Sequence, residues 1–151
     1  MKKDKVAIFW FRRDLRLQDN TGLCHALSGD VDVQPIFIFD EEILSDLKNK
    51  EDARVSFIHQ ELISINASLK TKGSSIKVYH GPPKEVWKKI VEDFEVHSVY
   101  SNRDYEPYAK ERDEWVREFL KTNAISFYNY KDQVILEPGE VLKEDGTPYL
   151  V

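Results

Sequence analysis

Charged and aromatic side chains follow three apolar runs of this 151-residue sequence, at the points where strands of a sheet would end. They form the segments Phe11-Arg12-Arg13-Asp14, Phe39-Asp40-Glu41-Glu42 and Ser101-Asn102-Arg103-Asp104-Tyr105-Glu106, joined by Arg54 at the start of a predicted helix. Ligands of open parallel sheets bind beyond the carboxyl ends of the strands, so we expect these side chains to converge on one edge. Their mixture predicts a pocket for a planar polar ligand.

Other chemistries find little support in the sequence. No nucleophile stands beside a recognisable base, and no glycine-rich phosphate loop follows the first apolar run, so we predict no catalytic residue. We also predict no metal site, because the histidines lack the spacing of metal ligands; they are His25, His59, His80 and His97. The single cysteine, Cys24, excludes an internal disulfide and predicts a reducing, cytoplasmic location.

Arg54 has two competing interpretations. The macrodipole disfavours a cation at a helix N-terminus, so an acidic group should compensate it. That group is either a structural partner, for which the sequence offers Glu51, Asp40 and Asp104, or a bound ligand. A structural role is favoured for the charged residues after the first run, which would tie that strand to its helix; these are Arg12, Arg13, Asp14 and Arg16.

The elements that must position these residues alternate between strands and helices, which is typical of a parallel sheet covered by helices. Strands are predicted at Val6–Phe11, Val33–Phe39, Ile76–Tyr79, Val96–Tyr100 and Ile125–Tyr130. Four helices are predicted to open near Asn20, at Glu51-Asp52, at Pro82-Pro83 and at Glu106-Pro107. The tryptophans fit core positions better than cofactor contacts; they are Trp10, Trp87 and Trp115.

Composition fits one soluble globular domain, with 41% hydrophobic and 32% charged residues. The net charge of -5 argues against a free-standing nucleic-acid binder, since such domains carry a basic excess. No stretch has the length and apolarity of a membrane span, and the N-terminus shows no signal-type cleavage site. After residue 130 the sequence reads as short extended pieces joined by turns.

The segment Trp10-Phe11-Arg12-Arg13-Asp14-Leu15-Arg16-Leu17-Gln18-Asp19-Asn20 resembles the opening signature of the photolyase/cryptochrome family. The resemblance extends over the entire chain, through Pro35–Asp40, Asn102–Tyr108 with Arg112-Asp113, and Asp145–Tyr149. It implies an α/β fold with a doubly wound, five-stranded parallel sheet of order 3-2-1-4-5. Residues 1–130 would form the antenna domain and 131–151 the start of the interdomain connection, with the FAD-binding helical domain absent.

The resemblance also implies a function. A full-length photolyase uses light and reduced FAD to repair cyclobutane pyrimidine dimers, and the α/β domain holds a light-harvesting pigment. The chain alone should be catalytically inactive, with its own helical domain as partner and damaged DNA reached only through that domain. Residues matching the antenna region of the family are Phe11, Arg12, Phe39, Asp40, Arg54, Asn102, Arg103 and Asp104.

The identity of the pigment and of the full-length protein stays open at this point. Folate-binding members have Asn-Glu where this chain has Tyr108-Ala109, which disfavours methenyltetrahydrofolate and leaves FMN, 8-hydroxydeazaflavin or an empty pocket. A cryptochrome photoreceptor is the nearest rival to a photolyase. A non-photochemical nucleotide-binding module is a rival of another class, because one fold hosts many functions.

Overall fold

The computed structural model describes residues 4–45, 47 and 52–147. Five strands and five helices alternate along this part of the chain. In order they are β1 (Lys5–Phe11), α1 (Thr21–Leu27), β2 (Val33–Asp40), α2 (Glu41–Ser45), α3 (Ala53–Lys70), β3 (Lys77–Gly81), α4 (Pro83–Asp93), β4 (Glu95–Asn102), α5 (Pro107–Thr122) and β5 (Ser126–Tyr130).

All five strands form one parallel sheet of order β3-β2-β1-β4-β5, which confirms the predicted fold class and strand order. The central strand β1 is buried from Val6 to Phe11, as a strand covered on both faces requires. Strand β2 lies beside it and contains Pro35, which cannot donate to a sheet hydrogen bond. The pairing of β2 with β3 begins only at Ile36, so this proline interrupts nothing on that side.

Two apolar cores lie on opposite faces of the sheet because successive side chains of a strand point in opposite directions. Ile8 and Trp10 pack on the face covered by α4 and α5, where Trp87 is fully buried. Phe9 and Phe11 pack on the other face, against α1 and α3. The prediction that the tryptophans pack in the core or at its margin is thus confirmed: Trp10 and Trp87 are buried, and Trp115 is partly buried at the margin, stacked on Phe119.

Two details of the helices differ from the sequence prediction, and a third agrees with it. The short helix α2 was not predicted; it starts directly after β2, where Asp40 Oδ1 accepts a hydrogen bond from the Glu42 backbone at 3.0 Å. Helix α3 is capped by Asp52, while the other acidic residue predicted there, Glu51, lies outside the described residues. The spacing of Phe94 after Val86 and Ile90 predicts a buried helical residue, whereas Phe94 caps the C-terminus of α4 and is half-buried.

The sequence offers Asp19, Asn20 and Thr21 as possible caps of helix α1, and the structure uses Asn20, which is buried. Its Oδ1 accepts a hydrogen bond from the Leu23 backbone at 3.1 Å, and its Nδ2 donates to the Arg16 carbonyl at 3.2 Å. We expect Asn20→Ala to lower the free energy of unfolding by about 1–2 kcal/mol, because the substitution removes the cap and leaves backbone groups without a partner.

Urea unfolding followed by circular dichroism measures this effect. The control is Asn123→Ala, which removes an exposed amide at the other end of a helix, where Nδ2 donates to the Phe119 carbonyl at 2.8 Å. Equal midpoints for the two variants would contradict a stabilising role for the Asn20 cap.

Residues 131–147 contain turns and no helix or strand, and they are fastened to the sheet by side chains. Asp132 accepts hydrogen bonds from the Thr21 backbone at 2.9 Å and from Arg16 at 2.6 Å. These hydrogen bonds from Thr21 and Arg16 lower the pKa of Asp132. Glu137 accepts from Arg103 at 2.6 Å and from Tyr105 at 2.7 Å. The last of the predicted extended pieces, Tyr149-Leu150-Val151, lies outside the described residues.

Candidate functional site

A buried ion pair occupies the carboxyl end of the central strand. The Arg12 guanidinium donates to both oxygens of Asp113 at 2.5 Å, to Ser101 Oγ at 3.0 Å and to the Asn102 carbonyl. The side chains of Arg12 and Asp113 are only 7% and 8% exposed. Burial lowers the pKa of Arg12, and the attraction of Asp113 partly offsets that effect. The pair connects β1, β4 and α5 at a single point.

Arg112 extends this network to β2. Its guanidinium lies 3.2 Å from Asp113 Oδ1 and 3.7 Å from Asp40 Oδ2. Tyr108 donates its hydroxyl proton to Asp40 Oδ2 at 2.8 Å, and burial together with this hydrogen bond raises the pKa of Tyr108. The guanidinium carbons of Arg12 and Arg112 both lie 4.8 Å from the centre of the Trp10 ring, within the range of cation–π attraction.

The sequence prediction missed Arg112 and Asp113 as members of the site. A signal was present, because Asp113 lies on the buried stripe of α5, whose other members are Ala109, Val116 and Leu120. A carboxylate on such a stripe requires a buried cation, since an unpaired charge is costly inside a protein. That cation is Arg12, which the sequence did single out.

A second buried network holds the loop between β1 and α1. Asn102 donates to Asp14 Oδ2 at 2.6 Å and to Asn20 Oδ1 at 2.8 Å, and its own oxygen accepts from the Gly22 backbone at 2.8 Å. These groups are all buried, so each hydrogen bond replaces one lost from water. Asn102 therefore fixes the position of the loop that carries Arg12.

Among the described residues, the structural partner of Arg54 is Asp52, and not Asp40 or Asp104 as the sequence suggested; the third suggested partner, Glu51, lies outside those residues. Arg54 donates to Asp52 from Nε at 2.9 Å and from NH2 at 2.7 Å, and it lowers the pKa of Asp52 to about 2. Arg54 pairs with Asp52 because the Asp52 carboxylate caps the first turn of α3, where it also accepts from the Arg54 backbone at 2.9 Å. The Arg54 side chain is 74% exposed.

Arg103 and Asp104 lie elsewhere on the same edge, in the lining of an open cavity of about 440 Å³. Helix α5, strand β5 and residues 137–138 supply the other walls. Asp104 is largely buried, with 11% of its side chain exposed, whereas Arg103 is 46% exposed and bound to Glu137. These two residues are thus associated with β5 more closely than with Asp40.

The eight predicted site residues fall into distinct environments. Arg12, Asp40 and Asn102 belong to the buried networks. Phe11 and Phe39 pack in the apolar core on the sheet face covered by α1 and α3. Phe11 is fully buried with its ring centre 4.6 Å from that of Phe9, and Phe39 is partly buried 5.0 Å from Phe37. Arg54 stands exposed at the start of α3, and Arg103 and Asp104 line the open cavity.

The described residues, 4–45, 47 and 52–147, offer neither a metal site nor a membrane-spanning helix. Among these residues, no group of three or more side chains is arranged to hold a metal ion. No helix in the same ranges has the length and apolarity needed to cross a membrane.

Comparison with known proteins gives consistent matches. A family model described as DNA photolyase matches residues 7–151. The deoxyribodipyrimidine photo-lyase of Synechococcus is 33% identical, with 95% of this chain and 30% of the relative covered. Cryptochrome-2 of Arabidopsis thaliana is 32% identical, with 99% and 24% covered. The chain thus spans about a third or less of these relatives.

Solved structures agree with the fold. An archaeal photolyase from Sulfolobus tokodaii is 37% identical with a TM-score of 0.82, covering 92% of this chain and 32% of the other. It is described with two FAD molecules and the implication of a novel light-harvesting cofactor. A class III photolyase from Agrobacterium tumefaciens gives a TM-score of 0.84 at 25% identity, over 100% of this chain and 30% of the other. Together with the strand order, these matches identify the chain as the N-terminal α/β domain of a member of the DNA photolyase family.

Proposed function

We propose that this domain binds a light-harvesting pigment and transfers its excitation to an FAD held by the C-terminal helical domain of the full-length photolyase. The observation that carries the proposal is the Sulfolobus tokodaii photolyase, 37% identical over 92% of this chain and described with a second FAD as a novel light-harvesting cofactor. In the full-length protein, the excited FAD would donate an electron to a cyclobutane pyrimidine dimer flipped from the duplex.

The pigment site that we propose lies at the carboxyl end of β2, close to the start of α3. Phe39 and Tyr108 offer partly buried aromatic faces for stacking, and Asp40 offers a carboxylate to ring N–H groups. Arg54 is the exposed cation of this set and suits a phosphate, for which its guanidinium would leave Asp52. Arg12 and Arg112, bound to Asp113 and Asp40, would hold the floor of the site rigid.

The chemistry of this edge favours a flavin or a deazaflavin as the pigment. Candidates are FAD, FMN and 8-hydroxydeazaflavin, each a planar ring with a ribityl chain, which carries phosphate in FAD and FMN. Methenyltetrahydrofolate is disfavoured because Ala109 is buried and supplies no carboxylate where folate-binding relatives have one. The partners that we propose are the helical domain of the same protein and, through it, damaged DNA.

Titration of the 151-residue chain with each pigment, followed by visible fluorescence, tests the proposal. We expect saturable binding of a flavin or deazaflavin; Arg54→Ala should weaken FAD or FMN roughly 10-fold because a charge-assisted contact to phosphate is lost. The matched control is Arg117→Ala, an arginine with 43% of its side chain exposed that lines the open cavity beside β5 and lies outside the proposed pigment site.

Three outcomes bear on the proposal in different ways. If both arginine variants weakened binding equally, the proposed location of the site would be contradicted. If none of FAD, FMN, 8-hydroxydeazaflavin and methenyltetrahydrofolate bound, the pigment function itself would be contradicted. Repair of pyrimidine dimers by the full-length protein under blue light separates a photolyase from a cryptochrome, which would bind pigment without repairing DNA.

A further inference from the structure

We propose that the outward face of α3 is a self-association surface, through which two copies of this chain pack as an antiparallel pair of helices. The outward face lies opposite the buried side chains of the helix, which are Leu62, Ile65 and Leu69. Successive helical residues are about 100° apart, so the side chains within about 60° of the centre of this face can be assigned. They are all exposed and are Ala53, Ser56, Phe57, Gln60, Ile63, Ser64 and Ala67.

The first observation is the lack of charge on this face. Within Ala53–Lys70, which the structure describes in full, the outward face carries no charged side chain, although 32% of the residues in the chain are charged. Charged residues normally cover the solvent side of a surface helix, as they do on the two other long helices. Exposed examples are Lys84, Glu85, Lys88, Lys89 and Glu92 on α4, and Lys110, Glu111, Glu114, Glu118 and Lys121 on α5. The composition of the α3 face is instead that of a contact surface, from whose core charged residues are depleted.

Two large apolar side chains stand out from the same face. Phe57 is 61% exposed and Ile63 is 57% exposed. They flank the centre of the face on opposite sides, about 120° apart around the helix axis. Removal of such side chains from water is favourable, and exposed apolar groups that share one face mark contact sites.

The order of the residues identifies the partner as a second copy of the chain. Read outward from Gln60, the face has the same residue classes in both directions: a large apolar residue three positions away, a serine four positions away and an alanine seven positions away. A twofold interface requires such a self-complementary surface, because residue i contacts residue j while j contacts i. An unrelated partner would impose no such symmetry.

The helix geometry also brings large side chains against small ones. A twofold axis that crosses α3 at right angles beside Gln60 makes the two helices antiparallel. Phe57 then lies against the partner's Ser64, and Ile63 lies against the partner's Ser56, so ridges of one helix fit grooves of the other. The two Gln60 amides meet at the axis, where each donates to the oxygen of the other. Gln60 is available for this, since its side chain makes no hydrogen bond to the described residues.

The size of the surface and the net charge of the chain predict a weak dimer. One pair of helices buries less area than a standard protein interface, so we expect a dissociation constant between about 1 μM and 1 mM. Two copies with a net charge of -5 each repel one another at long range. High salt should therefore strengthen the dimer, because it screens this repulsion and weakens no ion pair on the uncharged face.

Sedimentation velocity of the 151-residue chain without pigment, from about 10 μM to 1 mM, tests the proposal. Gln60→Glu should weaken the dimer at least roughly 10-fold, because two carboxylates then meet at the twofold axis. The matched control is Gln133→Glu, which makes the same change at an exposed glutamine outside α3 and should leave the dimer unchanged. Circular dichroism of both variants shows that the monomers are folded.

A charge exchange tests the antiparallel arrangement itself. Gln60→Lys should also weaken self-association at least roughly 10-fold, because two ammonium groups then meet. An equimolar mixture of Gln60→Glu and Gln60→Lys should form a heterodimer at least as stable as the unmodified dimer, because opposite charges then lie together at the axis.

Four results would overturn the proposal. These are a monomer at all concentrations up to about 1 mM, equal weakening by the two glutamate variants, no heterodimer in the mixture, or a full-length protein that stays monomeric where the 151-residue chain dimerises. The last result would assign the α3 face to the helical domain instead. Failure here is distinct from failure of the pigment function, because sedimentation is measured without pigment.

Discussion

Replacing Asp113 by asparagine should lower the free energy of unfolding by about 3–5 kcal/mol, the largest effect expected of any single substitution proposed for this chain. Asp113 is the shared partner of two buried guanidinium groups, at 2.5 Å from Arg12 and 3.2 Å from Arg112. Asparagine preserves the size of the side chain but leaves both cations without their common counter-ion in a site that water hardly reaches. Urea unfolding with linear extrapolation measures the change.

The neighbouring carboxylate provides the control. Glu114 lies on the same helix and is 67% exposed, with a 3.5 Å ion pair to Arg117. Glu114→Gln should change stability by less than about 1 kcal/mol, because exposed pairs contribute little. If both variants lost the same stability, burial of the Arg12–Asp113 pair would not be the cause. A combined Arg12→Leu and Asp113→Leu variant should recover much of the loss, since it removes the unpaired charge.

Gly22→Ala should lower the free energy of unfolding by about 1–3 kcal/mol, despite the higher helix propensity of alanine. An added Cβ would lie 2.8 Å from Asn102 Oδ1, 3.0 Å from Phe9 Cε2 and 3.1 Å from the backbone carbon of Ser101. Helix α1 would have to move away from β4, and the hydrogen bond from the Gly22 backbone to Asn102 would lengthen. The loop that carries Arg12 would lose its support.

Gly29→Ala serves as the comparison for this helix. A Cβ at that position would meet only the Ala26 carbonyl at 3.5 Å, which is an ordinary contact. Its unfolding midpoint should therefore stay within experimental error of the unmodified chain. A Gly22→Ala variant as stable as Gly29→Ala would show that α1 can shift at no cost.

The sequence predicted the fold well because the signals for it are local and repeated. Continuous apolar runs marked the buried strands, and Asn20 and Pro83 marked helix starts that the structure has. Gly22 gave no such signal, because its role depends on Asn102, 80 residues away in the chain. Close approach of two backbones is a property of the assembled sheet, and a single residue type does not encode it.

The candidate site was predicted less completely, and the reason is again distance along the chain. Arg12 was recognised as a charge at a strand end, but its partner lies 101 residues away on α5. For Arg54 the sequence offered Glu51, Asp40 and Asp104 as partners, whereas Asp52, two residues before it, holds its guanidinium. Charge pairing therefore needs the three-dimensional arrangement even when the charged positions are evident.

The position of β1 at the centre of the sheet has a consequence for biosynthesis. This strand leaves the ribosome before the other four strands, yet one of its two neighbours, β4, starts only at Glu95. At translation rates of about 5–20 residues per second, β1 waits roughly 5–20 s for that neighbour. During this interval an aromatic-rich strand is open on one side, which makes the nascent chain a substrate for chaperones that recognise extended apolar segments.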